Sequence, residues 1–436
     1  MDPRDGVAST ALLTDQYELT MLAAALADGS AHRQCTFEVF ARRLPNGRRY
    51  GVVGGTGRVL DALRQFRFGE AELAVAAPFS DRRTLDWLRE YRFTGDIDGY
   101  AEGELYFPGS PVLSVRGSFA ECVVLETLIL SILNHDSAIA AAGARMVSAA
   151  GGRRMIEMGS RRAHELAAAD CARAAYLAGF DATSNLEAVR RYGIPGAGTS
   201  AHAFVLLHSG PDGAHEAEAF RSQVQTLGRG TTLLVDTFDI TRGVATAIEV
   251  AGTELGGVRI DSGDLGVLAR QVRDQLDALG ATKTRIVVSG DLDEYAIAAL
   301  RAEPVDVYGV GTALVTGSGA PTAGMVYKLV EVEGVPVAKR SSHKQSRGGT
   351  KKAVRLARDT GTIVEEIVYP ASGPMPPNNG FQARELLVPL IREGKQVDDL
   401  PTLAESRDLV ARGLISLPWE GLKLSAGEPA VVTTFV

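Results

Sequence analysis

Four aspartates carry the most suggestive spacing in this chain. Asp236 and Asp261 end the apolar runs Leu233–Asp236 and Val258–Asp261, with Asp264 three residues on. Asp291 follows the run Ile286–Ser289 in the turn Ser289-Gly290-Asp291. Hard carboxylates gathered on one rim suit Mg²⁺ or the hydroxyls of a ribose. For any one of them the ordinary alternative is to cap the N-terminus of the next helix. Gly309-Val310-Gly311-Thr312 and Gly317-Ser318-Gly319 follow another short run and offer backbone N–H groups clear of side chains, as a phosphate requires. They match neither a Walker loop nor a complete dinucleotide fingerprint.

Cations are placed just as unevenly. The chain has eight lysines, none before Lys283, and four of them fall between Lys339 and Lys352. The stretch Lys339–Arg355 reads KRSSHKQSRGGTKKAVR and holds seven Lys or Arg, three serines ahead of a glycine pair, and no acid. An exposed charged hairpin ordinarily interleaves acids; this composition fits an anion nest for phosphate. A nucleic-acid patch would interleave aromatic residues, and the stretch has none.

Arg161, in Gly159-Ser160-Arg161-Arg162, follows the run Met155–Met158 and can clamp a carboxylate through two parallel hydrogen bonds. Arg259 sits inside Val258–Asp261, where burial demands an anionic partner. A structural ion pair explains either arginine equally well. His202, in Gly198-Thr199-Ser200-Ala201-His202-Ala203-Phe204, has no Cys or second His at metal-ligand spacing. A lone histidine is usually structural, and without further context the same holds here.

The elements that must position these residues fall into two textures. Residues 12–28 have helical spacing (Leu12, Leu19, Leu22, Leu26), followed by strand-like Cys35–Ala41 and Tyr50–Val53 around a Pro45-Asn46-Gly47 turn, and then by Gly- and Pro-punctuated β structure over 97–118. A long apolar helix begins near Glu121. From about residue 153, short apolar runs alternate with helical patterns such as 264–279 and 291–302, which is the signature of βαβ units. In a parallel barrel the C-terminal strand ends form the active-site rim. After about 325 hairpins return. The expected domains are therefore an N-terminal β-rich domain over 1–118 completed by about 325–400, an α/β barrel over 119–324, and a C-terminal helical extension over 401–436.

Bulk composition sets outer limits. With 436 residues, 45% hydrophobic and 23% charged, the chain has the make-up of a globular protein of two or three domains. No uninterrupted apolar stretch approaches the roughly 20 residues that span a bilayer, so no membrane role is expected. The N-terminus lacks a secretion signal, and Cys35, Cys122 and Cys171 are odd in number without metal-ligand spacing; a reducing, cytoplasmic setting is expected. A net charge of −7 argues against a nucleic-acid partner.

Taken together, these pieces resemble the nicotinate phosphoribosyltransferases. The resemblance rests on Thr14-Asp15-Gln16-Tyr17-Glu18-Leu19-Thr20-Met21, Gly159-Ser160-Arg161-Arg162-Ala163-His164, Ala182-Thr183-Ser184-Asn185, Gly198–Phe204, Asp236-Thr237-Phe238-Asp239, Arg259–Asp264 and Ser289-Gly290-Asp291, in family order from about residue 10 to 356. It implies an irregular α/β barrel plus a mostly β, discontinuous second domain, assembled as a homodimer with shared active sites. It also implies ATP-coupled synthesis of nicotinate mononucleotide and pyrophosphate from nicotinate and phosphoribosyl pyrophosphate, with Mg²⁺, in NAD biosynthesis.

By the same resemblance, Tyr17 would stack on the pyridine ring in the neighbouring subunit's site and Arg161 would flank that ring. Ser184 and Arg259 would line the base and ribose region. Asp261 and Asp291 would serve as catalytic residues at ribose or Mg²⁺-pyrophosphate, and Gly290, Gly311 and Thr312 would hold the 5′-phosphate. His202 would be the catalytic phosphohistidine. Lys339, Lys344 and Lys351 would grip phosphates. One departure concerns the ring-sandwiching position, usually Phe in the family and Met158 here, whose thioether can pack on an aromatic ring. The alternatives are nicotinamide phosphoribosyltransferase, which would favour an acid near the base where this chain has Ser184; quinolinate phosphoribosyltransferase; and a non-catalytic phosphate- or RNA-binding protein.

Overall fold

A computed structural model describes residues 8–210, 213–339 and 346–436. The chain divides into two compact units, residues 1–141 with 322–436, and residues 142–321.

In the first unit, strand Gln34–Ala41 shows how sequence alternation builds the layers. Cys35, Phe37, Val39 and Ala41 join a hydrophobic core with Leu19, Leu22 and Ala25 of helix Gln16–Asp28 and with Leu128, Ile129, Ile132 and Leu133 of helix Glu126–Ala150. Thr36 and Glu38 alternate onto the opposite face, where they bond to Thr350 and Lys351 at 2.9 Å and 2.7 Å. The strand sits within a seven-stranded sheet, in the order Val335–Pro336, Met325–Val332, Gln34–Ala41, Leu113–Ser118, Asp96–Tyr100, Leu387–Arg392, Lys395–Gln396, with antiparallel neighbours. A second sheet runs Gln382–Glu385, Lys351–Ala357, Ile363–Pro370, Val432–Phe435.

Two boundaries differ from the sequence reading. Residues 119–141 belong with the β-rich unit, because the apolar face of the long helix completes that unit's core; the division falls inside the helix and not at 118/119. Residues 401–436 are not a separate helical extension. Helix Leu403–Ser416 is followed by strand Val432–Phe435, which pairs in parallel with Ile363–Pro370 of the same unit. The stretch Phe119–Ala150, although interrupted by Glu121, Glu126, Asp136 and Arg145, could by length and composition cross a membrane, with a best-window mean hydropathy of 1.4. Two thirds of that window is buried inside the protein, as expected for a core helix that is apolar on most of its faces.

The second unit is a six-stranded parallel half-barrel. Its strand order is Thr232–Leu234, Gly257–Ile260, Arg285–Val288, Val307–Val310, Arg154–Glu157, Ala182–Thr183. Both faces of such a sheet are covered, so the strands read as continuous apolar runs. Helices Ile240–Ala251, Leu265–Ala278 and Glu294–Leu300 connect them, capped by the side chains of Asp239, Asp264 and Asp293. The fourth strand starts two residues later than the sequence run Val305–Tyr308 suggested, since Pro304 and a turn at Val305 delay it. Gly309 and Val310 therefore close the strand.

Candidate active site

The C-terminal strand ends of the half-barrel enclose a cavity of about 740 Å³. Met158, Arg161, Arg259, Asp261, Asp264, Gly290, Asp291, Gly309, Gly311 and Thr312 all line it, so ten of the residues singled out from sequence meet in one place.

Arg259 organises one wall. Its Nε donates to Ser289 Oγ at 2.9 Å, Nη1 to Thr199 Oγ1 at 2.8 Å, and Nη2 to Asp261 Oδ1 at 3.3 Å. Ser289 Oγ also donates to Asp261. The anionic partner that burial of this arginine required is thus Asp261, two residues along the same chain. Asp236 fixes the next turn: its Oδ2 accepts from the Asp261 N–H at 2.7 Å and the Ser262 hydroxyl at 2.9 Å. Its Oδ1 is buried and has no hydrogen-bond partner among the described residues. Asp264, by contrast, accepts from the Val267 N–H at 3.1 Å and is the N-cap that the ordinary reading foresaw.

His202 opens helix His202–Leu207 with a side chain 40% exposed. Its Nδ1 lies 3.1 Å from Thr237 Oγ1, and its Nε2 lies 3.9 Å from both Asp236 Oδ1 and Asp261 Oδ2. The imidazole therefore faces two carboxylates at the end of the Arg259 network.

Two glycines are needed for shape. A Cβ on Gly309 would come within 2.7 Å of the Met158 sulfur, so any larger residue there would displace the thioether from its present place at the cavity wall. Gly290 has φ +127°, which side-chain-bearing residues rarely adopt. Arg161 and Arg162 form a single 3₁₀ turn after Gly159 and are exposed at the rim.

Other expected residues lie elsewhere. Ser184 is exposed just past strand Ala182–Thr183 and does not line the cavity. Tyr17, Lys339 and Lys351 belong to the first unit. Tyr17 is on the first turn of helix Gln16–Asp28, 45% exposed, its phenol pushed up to about 12 by partial burial and by the Glu126 and Glu18 carboxylates. The Lys339 backbone N–H donates to Ser346 Oγ at 3.1 Å. Lys351 is not a free phosphate ligand: its ammonium pairs with buried Glu38 at 2.7 Å and donates to Gly349 O at 2.7 Å. Lys344 lies outside the described residues. Sequence reasoning gave no individual role to Thr199 or Ser289, although each falls within a run already singled out, and it placed Asp236 among the rim carboxylates without foreseeing that it would fix the turn at Asp261.

Similarity to known proteins agrees with this geometry. Residues 12–134 match the family model for the nicotinate phosphoribosyltransferase N-terminal domain, and residues 153–362 match that of the nicotinate phosphoribosyltransferase family. The chain is 68% identical to nicotinate phosphoribosyltransferase pncB1 of Mycobacterium tuberculosis, over 97% of this chain and 94% of that protein. It is 32% identical to the Homo sapiens nicotinate phosphoribosyltransferase, over 97% and 94%. The crystal structure of human nicotinic acid phosphoribosyltransferase superposes with a TM-score of 0.83 at 29% identity, covering 97% of each chain. That of nicotinate-nucleotide pyrophosphorylase from Pyrococcus furiosus gives 0.78 at 26% identity, over 93% of this chain and 95% of the other. The chain belongs to the nicotinate phosphoribosyltransferase family.

Proposed function

We propose that this chain is a nicotinate phosphoribosyltransferase that makes nicotinate mononucleotide and pyrophosphate for NAD biosynthesis. The carrying observation is the cavity where Arg161, Arg162 and Arg259 meet Asp261, Asp291 and the Gly290 and Gly311 turns. Cations suit a carboxylate and phosphates, carboxylates suit ribose hydroxyls, and glycine turns suit a phosphate. In the reaction the ribose C1′–oxygen bond to pyrophosphate breaks, the leaving oxygen keeps the electron pair, and the pyridine nitrogen lone pair forms the new C–N bond. The nucleophile carries no proton at neutral pH, so no general base is needed. Catalysis then consists of holding nitrogen and C1′ in line and stabilising the departing charge.

Arg161 would bind the nicotinate carboxylate, Met158 would pack on the ring, and Ser184 would close the base region. Arg259 and Asp261 would orient the ribose, with Gly290, Gly311 and Thr312 at the 5′-phosphate. Mg²⁺ fits the donor set. Among the described residues no three His, Cys, Asp or Glu side chains converge as a complete cage, but one or two carboxylates, Asp261 and Asp291, are what Mg²⁺ uses when substrate phosphates supply the rest. When bound, Mg²⁺ would neutralise charge on the leaving pyrophosphate.

We further propose that ATP phosphorylates His202, that the enzyme is a homodimer in which Tyr17 serves the partner's cavity, and that it resides in the cytoplasm. The family resemblance supports the first two, and three buried cysteines held as thiols are compatible with the last. Neither a nucleic-acid nor a membrane partner is proposed.

The test incubates purified protein with nicotinate, phosphoribosyl pyrophosphate and Mg²⁺, with and without ATP, and with nicotinamide as competitor. Nicotinate mononucleotide should form, ATP should raise the yield, and nicotinamide should compete poorly. No product under any condition would sink the assignment.

A further inference from the structure

Glu157 ends strand Arg154–Glu157 with only 1% of its surface exposed. Its carboxylate receives two donors: the Thr183 hydroxyl donates to Oε2 at 2.5 Å, and the Gly159 N–H donates to Oε1. Its backbone carbonyl accepts from the Ser184 N–H at 2.9 Å, and the N–H of the next residue, Met158, donates to Val310 O at 2.7 Å. One side chain and its flanking peptides therefore join the ends of three adjacent strands.

The network closes on itself. Thr183 Oγ1 accepts from the Asn185 N–H at 2.9 Å, so its single proton is directed to Glu157. The Asn185 side-chain amide donates to Ser160 Oγ at 3.0 Å, within the turn that carries Arg161. Burial raises the Glu157 pKa, and no cation pairs with it among the described residues. A carboxylate buried without a cation is costly, and an apolar side chain would fill the space at less expense. An apolar side chain cannot accept from both Thr183 and Gly159.

We infer that Glu157 is a positioning residue for nicotinate: through Gly159 and Thr183 it holds Met158, Arg161 and Ser184 in the arrangement that receives the pyridine acid. It touches no substrate itself. The inference rests on the nicotinate reading above and deepens it.

The test is steady-state kinetics on the full-length enzyme carrying Thr183→Val, Thr183→Ser or Glu157→Gln, with melting temperatures measured alongside. Thr183→Val keeps the shape but removes the proton that Glu157 accepts. It should raise KM for nicotinate about tenfold and leave KM for phosphoribosyl pyrophosphate within about twofold. Thr183→Ser keeps the hydroxyl and should remain near wild type. Glu157→Gln should show the same split at smaller size, because its amide can meet the Thr183 oxygen only if the hydroxyl turns away; it also carries the test should Thr183→Val not fold. Folded variants with unchanged KM for nicotinate would overturn the inference. So would an equal rise in both KM values accompanied by a lower melting temperature, which marks a purely structural role. A wild-type enzyme inactive on nicotinate would overturn the proposed function as well.

Discussion

His202 Nε2 stands 3.9 Å from Asp261 Oδ2, and the same distance separates it from Asp236 Oδ1. A phosphoryl group on this imidazole would bring nearly two negative charges up against two carboxylates. At about 4 Å and an effective dielectric near 20, each pair of unit charges repels by about 4 kcal/mol. A phosphohistidine here would therefore be strained by its surroundings unless a cation intervened. In the proposed cycle that strain is useful. There it would couple phosphorylation to Mg²⁺ recruitment, and its release on hydrolysis would favour product formation.

His202→Ala should accordingly abolish acid-labile labelling from γ-labelled ATP and the ATP hydrolysis that accompanies turnover. ATP-independent synthesis of nicotinate mononucleotide should survive, since the Arg259 network does not depend on the imidazole for its hydrogen bonds. Persistent labelling in this variant would place the phosphoryl acceptor elsewhere.

Asp236 and Asp239 stand three residues apart and should behave oppositely. Asp236→Asn presents an amide N–H or a weaker acceptor to the Asp261 N–H and the Ser262 hydroxyl, and disturbs the turn that aims Asp261 into the cavity. A fall in kcat of about 100-fold is expected, the size seen when a preorganised polar group is removed. Asp239 caps helix Ile240–Ala251, through the Arg242 N–H at 2.8 Å, and does not line the cavity. Asp239→Ala should cost about 1 kcal/mol of stability and leave kcat unchanged. Thermal melts and initial rates on both variants check the contrast.

That contrast also measures how far the sequence could be read. The βαβ rhythm, the acidic strand ends and the discontinuous β-rich region were visible because they are local patterns. Which aspartate also caps a helix was not, since Asp261 and Asp264 leave the same strand and both line the cavity; the answer depends on where helix Leu265–Ala278 begins. Lys351 sits in a conspicuous run of cations, but its carboxylate, Glu38, is 313 residues away in the chain, and only the packing of two separate sheets brings the two together. The long helix from Phe119 was assigned to the barrel because its sequence does not record which core its apolar face completes. Side-chain partners far apart in the chain, such as Arg259 with Thr199 and Ser289, are likewise products of topology.

The proposed sharing of active sites between subunits makes a mixing prediction. Tyr17→Ala and Asp261→Asn each disable the site they contribute to, but in the proposed dimer they disable different halves. Equimolar inactive variants, denatured and refolded together, should form heterodimers with one intact site and recover about a quarter of wild-type activity. Activity assays on the mixture, with mass measured by light scattering, check this; a monomer or an inactive mixture would contradict it.

Glu216 gives the stability of the second unit a pH dependence with a definite sign. Burial, with Asp236 and Asp239 adding repulsion and Arg242 opposing them, pushes its carboxyl up to about 7, and its Oε1 has no hydrogen-bond partner among the described residues. The folded protein therefore holds this proton more tightly than the unfolded chain. Between the unfolded value near 4.5 and about 7, the native state binds more protons, so stability falls as pH rises through that window. Glu216→Gln removes the proton equilibrium and keeps the volume. Its melting temperature should match wild type near pH 4.5 and exceed it above pH 7, with the gap opening between. Melts of both proteins at half-unit pH steps test this, and a gap independent of pH would show that Glu216 titrates normally in the fold.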